Sequence, residues 1–165
     1  MLSDDGSTPG GGGRTLALDP GERRVGLAVS DPDGHVALGL PTFEAGHGRN
    51  LVDHLRGLLQ AYGVTRIVVG HPLTLRGERG PAARQSEALA HSLRSKLGLQ
   101  VELWDERLTT VEGERLLRGT GAPKGTRDRI AAILILQGYL DRQAGRQDPQ
   151  PGSSPEPGGS GEDMV

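Results

Sequence analysis
The 165-residue chain contains no cysteine, which excludes a disulfide scaffold, a thiolate-ligated zinc site, an iron–sulfur cluster and a thiol nucleophile. It has only four aromatic residues, Phe43, Tyr62, Trp104 and Tyr139, too few for a protein that grips single strands by serial base stacking. No apolar run approaches the roughly 18 residues needed to cross a bilayer. The start, Met1-Leu2-Ser3-Asp4-Asp5, lacks the basic and apolar regions of a signal peptide. A cytoplasmic protein with no membrane partner is the expectation.

What is abundant is unevenly placed. Of 27 glycines and 11 prolines, many crowd into residues 1–13 and 146–165, where apolar surface is too sparse to offset the entropy of ordering. Both stretches read as disordered tails around one domain, 14–145. The whole chain carries a formal charge of −2, yet the core alone holds 18 basic against 15 acidic residues, and 16 of the basic ones are arginine. The planar guanidinium fork suits phosphate oxygens, so a polyanionic partner is one reading. An arginine-biased codon usage explains the same ratio equally well, so charge alone selects neither.

Periodicity predicts an alternating order of strands and helices. Thr15–Asp19, Val25–Ser30 and His35–Phe43 read as three strands, joined by Pro20-Gly21 and by the hairpin sequence Asp31-Pro32-Asp33-Gly34. Asn50–Tyr62 has leucines at helical spacing and ends at Gly63. Arg66–Gly70 is an unalternating apolar strand, suited to a sheet covered on both faces. Pro81 opens a helix that Gly98 closes, and Gln100–Trp104 is a fifth strand. Thr109 with Glu112 resembles a capping box for a helix through Leu117. A loop over Gly119–Gly125 precedes a last helix over Arg127–Arg142. The expected fold is α/β, a mixed five-stranded sheet flanked by helices, with the first three strands antiparallel and the later ones added by crossovers. Ligand sites in such sheets lie beyond the carboxyl ends of the parallel strands.

Acids fall at that place. Asp19 closes the first strand, Asp105 and Glu106 follow the fifth, and Asp128 stands in the first turn of the last helix. Each has a plain structural explanation: a turn residue, a solvated strand end, a carboxylate complementing a helix N-terminus. Drawn together from separate segments, they could instead hold Mg²⁺ or Mn²⁺, two ions being the arrangement that supports in-line displacement at phosphorus. Asp19 with Gly21 and Gly26 forms a D-x-G-x-x-x-x-G pattern that lets backbone amides approach a phosphate. That pattern opens both metal-dependent nucleases and actin- or sugar-kinase-like ATPases, although the latter need a second domain for which this chain is short.

Four blocks resemble the YqgF/RuvX family: LDPGERRVGLAVSD (18–31), IVVGHPLTLRGERGP (67–81), VELWDERLTTVEGERLL (101–117) and DRIAAILILQGYLD (128–141). The resemblance implies a ribonuclease H-like fold and a metal-dependent nuclease that processes the 5′ end of pre-16S ribosomal RNA. It makes Asp19, Glu106 and Asp128 the catalytic and metal-binding acids, with Asp19 bridging two ions. A Holliday junction resolvase acting on branched DNA, or a noncatalytic ribosome-assembly module, are the alternatives, and the chain would act as a monomer or a homodimer. Gly21, Arg23, Arg24, Arg107, Lys124 and Arg127 are the expected substrate-binding residues. Two positions depart from the family pattern: His71 stands where an apolar residue is more common, and Thr74 where Asn is.

Overall fold
The computed structural model describes residues 12–46, 48–109 and 124–147. Five strands form one sheet: β1 (Arg14–Pro20), β2 (Arg24–Ser30), β3 (Ala37–Glu44), β4 (Val64–His71) and β5 (Gln100–Asp105). Their spatial order is β3-β2-β1-β4-β5. β1 pairs antiparallel with β2 and parallel with β4; β2–β3 is antiparallel and β4–β5 parallel. The mixed sheet is therefore as expected, with parallel strands where helices supply the crossovers.

Boundaries moved by a few residues, for local reasons. β3 starts at Ala37 rather than His35 because the Asp31 carboxylate accepts the amides of His35 and Val36, 2.7 and 2.9 Å away, and keeps them in the turn. Pro41 is tolerated because β3 is an edge strand. Helix α1 (Leu51–Tyr62) takes Asn50 as its N-cap, and Gly63 closes it with φ 65°. Helix α2 (Pro81–Leu97) ends the same way at Gly98, φ 66°. A 3₁₀ turn over Glu106–Leu108, absent from the expectations, follows β5. The predicted helix from Thr109 to Leu117, past Thr109 itself, most of the loop that follows it and most of both predicted tails lie outside the described residues; Lys124 and Gly125, expected in that loop, and Arg146 and Gln147, expected in the C-terminal tail, belong instead to the last helix. The last helix, α3, runs over Lys124–Gln147, longer at both ends than Arg127–Arg142. Asp128 is thus at least four residues into α3 and not in a first turn, which removes helix capping as the explanation for that acid.

The two sheet faces are built from different side chains. On one, Leu16, Leu18, Leu27, Val29, Ile67 and Val69 pack with Leu55 of α1 and with Ala90 and Leu93 of α2. On the other, Ala17, Ala28 and Val68 meet Ala132, Ile135, Leu136 and Tyr139 of α3. Strand alternation adds Gly26, Gly39 and Gly70 to this second face. It is a floor of small residues, and α3 lies close upon it. Among the described residues no helix is long and apolar enough to cross a membrane.

Candidate active site
That close approach decides where the acids go. Asp19 shares the α3 face with Ala17, two residues earlier, and in the β1–β2 ladder it stands opposite Gly26. A side chain at Gly26 would collide with the backbone of Asp128, so the missing Cβ is what lets α3 cross β2 beside Asp19. Gly70 does the same for the third acid. A Cβ there would lie 2.7 Å from Glu106 Oε2, so the Glu106 carboxylate rests over the end of β4.

Electrostatics records the convergence. Burial, then the charges of Glu106 and Asp128, push the Asp19 carboxyl up from 3.8 to about 7. Burial also raises Glu106, with Asp105 adding to the rise and His71 opposing it. Two of the acids predicted from the sequence, Glu106 and Asp128, thus act on the third, Asp19. Among the described residues no three His, Cys, Asp or Glu side chains close into a preformed metal cage. The donor set still suits a hard cation. Mg²⁺ needs only one or two carboxylates and completes its shell with water and substrate phosphate. Carboxylates forced to share a desolvated space are the groups that a divalent ion would relieve.

Beside the acids opens a cleft of about 620 Å³ lined by Gly21, Glu22, Arg23, Arg24, Arg127 and Asp128. Four of the six predicted substrate-binding residues line it. Gly21 is needed for a close turn rather than for a left-handed conformation: its amide donates to the Arg24 carbonyl at 2.8 Å, and a Cβ would meet that same oxygen. Arg23 and Arg127 are exposed, while Arg24 is half-buried and 3.6 Å from Glu44. Lys124 begins the described part of α3, and its side chain lies outside the described residues. Arg107 is placed elsewhere. Its guanidinium grips Asp105, Nη2 to Oδ2 at 2.6 Å, and holds that carboxyl below its usual range. Of the two acids at the end of β5, Asp105 is therefore paired with Arg107 and Glu106 is the one that acts on Asp19.

Glu87 has no role among the expectations from the sequence, and His71 enters them only as a departure from the family pattern. In the structure His71 Nε2 and Glu87 Oε2 are 2.7 Å apart, and Arg79 Nε donates to the same oxygen at 2.8 Å. Arg79 first, then His71, bring the Glu87 carboxyl down to about 2. A signal for this was available: Glu87 sits between Ala83 and Ala90 on the inward stripe of α2, where a charge requires a partner.

A family model described as "RuvX: Holliday junction resolvase" matches residues 13–142. The chain belongs to the RuvX family. Within it, a protein of Chloroflexus aurantiacus named "Putative pre-16S rRNA nuclease" is 47% identical over 130 residues, which are 76% of this chain and 85% of the relative. One of Halalkalibacterium halodurans with the same name is 41% identical over 136 residues, 79% of this chain and 97% of the relative. Two solved RuvC structures of Thermus thermophilus, one with a Holliday junction substrate, superpose with TM-scores of 0.52 and 0.50 at 15% and 14% identity. Each covers 79% of this chain and 96% of the solved one. At that identity the likeness concerns the fold, which is ribonuclease H-like.

Proposed function
We propose that this RuvX-family protein is a metal-dependent nuclease that hydrolyses nucleic-acid phosphodiesters and acts on the 5′ end of pre-16S ribosomal RNA. The observation that carries the reading is the Asp19 carboxyl, lifted to about 7 by burial and by Glu106 and Asp128 beside an arginine-lined cleft. Asp19, Glu106 and Asp128 would supply the oxygen ligands of Mg²⁺ or Mn²⁺, Asp19 being the acid on which the other two act. Divalent cations held by them would supply the chemistry of lowering the pKa of a water and stabilising charge on a departing 3′ oxygen. Arg23, Arg24 and Arg127 hold the phosphates on either side, and the Gly21 turn leaves room for the backbone to approach. The names of the relatives favour the RNA substrate over branched DNA.

The test is cleavage of matched pre-16S RNA and four-way DNA junctions, each with Mg²⁺ and with Mn²⁺. Wild type is expected to cut the RNA. Asp19→Asn should lower the rate by about a hundredfold or more, since a metal ligand is worth several kcal/mol in the transition state. Equal cutting by both proteins would remove the assignment. Salt-sensitive binding with no metal-stimulated cutting would favour a noncatalytic module instead.

A further inference from the structure
The loop between β4 and α2 holds the most exposed large apolar side chain among the described residues, Leu75, at 94% exposure. An isolated exposed leucine usually needs no explanation, but this one is displayed on a braced support. Leu73 and Arg79 form an antiparallel bridge, and Thr74 accepts from Gly77 at 2.8 Å through its carbonyl and from the Glu78 amide at 2.9 Å through Oγ1. Gly77, at φ 83°, supplies the left-handed residue that closes such a turn. Leu75 and Arg76 are left at the tip.

Both ends of this hairpin are tied to the acidic site. At its base Arg79 binds Glu87, which also binds His71 at the end of β4. At its tip Arg107, the residue after Glu106, donates from Nη1 to the Leu75 carbonyl at 3.4 Å. Leu108, on the same 3₁₀ turn, is a second half-exposed leucine. A mobile loop would fold an apolar tip back on the protein; these polar ties hold Leu75 out, one arginine's length from the chain that carries Glu106.

We propose that this hairpin is a wedge for nucleic acid, with Leu75 inserting beside the base next to the phosphate held at the acids and Arg76 meeting the adjoining backbone. Apolar wedges unstack bases so that an enzyme can reach a backbone that stacking would otherwise hold closed. The inference rests on the nucleic-acid reading of the site. It also gives Arg107 a use: it positions the hairpin.

The experiment uses the full chain carrying Asp19→Asn, so that substrate survives, and RNA stem-loops with 2-aminopurine placed at successive positions across the junction of stem and single strand. Binding should raise fluorescence at one or two adjacent positions. Leu75→Ala should cut that rise about fivefold while binding, read by anisotropy, changes less than about threefold, and Leu75→Phe should keep it. An equal rise without Leu75, or no binding of RNA at all, would overturn the wedge. So would a Leu75→Ala effect confined to self-association in sedimentation, which would make the tip a protein contact. Wild-type protein that unstacks bases but never cuts with Mn²⁺ leaves the wedge standing and removes the nuclease. Cutting without a Leu75-dependent rise does the reverse.

Discussion

Asp19 and Glu106 lie at the same end of the sheet as Asp105 and Glu87, yet the two pairs are treated in opposite ways. Asp105 is gripped by Arg107, which holds its carboxyl below the usual range, and Glu87 by Arg79 and His71, which bring it down to about 2. Asp19 and Glu106 are buried against like charge, and both are raised. Among the described residues Arg107, Arg79 and His71 thus pair with carboxylates of the rim, while at the centre Glu106 and Asp128 press their charge on the buried Asp19. Neighbouring residues in the sequence, Asp105 and Glu106, fall on opposite sides of this division. Acidity by position is not enough: what counts is which carboxylates are paired by hydrogen bonds to a cation, as Asp105 and Glu87 are, and which are buried against like charge, as Asp19 is.

The strongest way to break the comparison is through pH. The Asp19 carboxyl binds its proton more tightly in the fold than in the unfolded chain. Its contribution to stability is therefore full below about pH 4 and is lost as pH rises through about 7. That loss should amount to on the order of a few kcal/mol in metal-free protein, read as a falling melting temperature by calorimetry. Asp19→Asn should flatten the slope, and Mn²⁺ at pH 7.5 should raise the wild-type midpoint far more than that of the variant. The tied acids give the reverse sign, with stability lost only as pH falls toward about 2 at Glu87. A wild-type curve no steeper than that of Asp19→Asn would erase the contrast.

Next in size are the two glycines that admit the acids. Gly26→Ala drives a Cβ into the backbone of Asp128 and should cost about 1–3 kcal/mol, as overpacking does, together with activity. Gly70→Ala meets the end of a movable Glu106 side chain and Ile135 Cδ1, each 2.7 Å away. It should damage cutting more than stability, and denaturation and cleavage measured on both variants separate the two. If Gly70→Ala cuts as well as wild type, Glu106 has no place in the centre.

The smallest effect belongs to the rim. Arg107→Ala frees an exposed ion pair, so the melting temperature should stay within about 2 °C of wild type, and cleavage should fall no further than Leu75→Ala lowers it, since Arg107 acts through the hairpin. A loss as large as that of Asp19→Asn would place Arg107 in the reacting centre.

Much of the fold was legible because its signals are local. Asn50, Gly63, Pro81 and Gly98 mark helix ends by their own backbone chemistry, and the unalternating Arg66–Gly70 run announces a strand buried on both faces. Asp19, Glu106 and Asp128 could be named from strand ends and from the family resemblance. Asp128 was misplaced within its helix because nothing in the residues before it fixes where that helix begins. The His71–Glu87–Arg79 cluster was missed because its members come from a strand end, a helix and a loop that only packing brings together.

The sequence by itself determined the alternation of strands and helices, the small residues of one sheet face and the identity of the acids, because periodicity, caps and side-chain chemistry are written residue by residue. Only the tertiary structure decided which acids are paired with a cation among the described residues and which are buried at the centre. That depends on how closely α3 lies on Gly26 and Gly70, and on which carboxylates Arg79 and Arg107 can reach, both of which are distances between segments far apart in the chain.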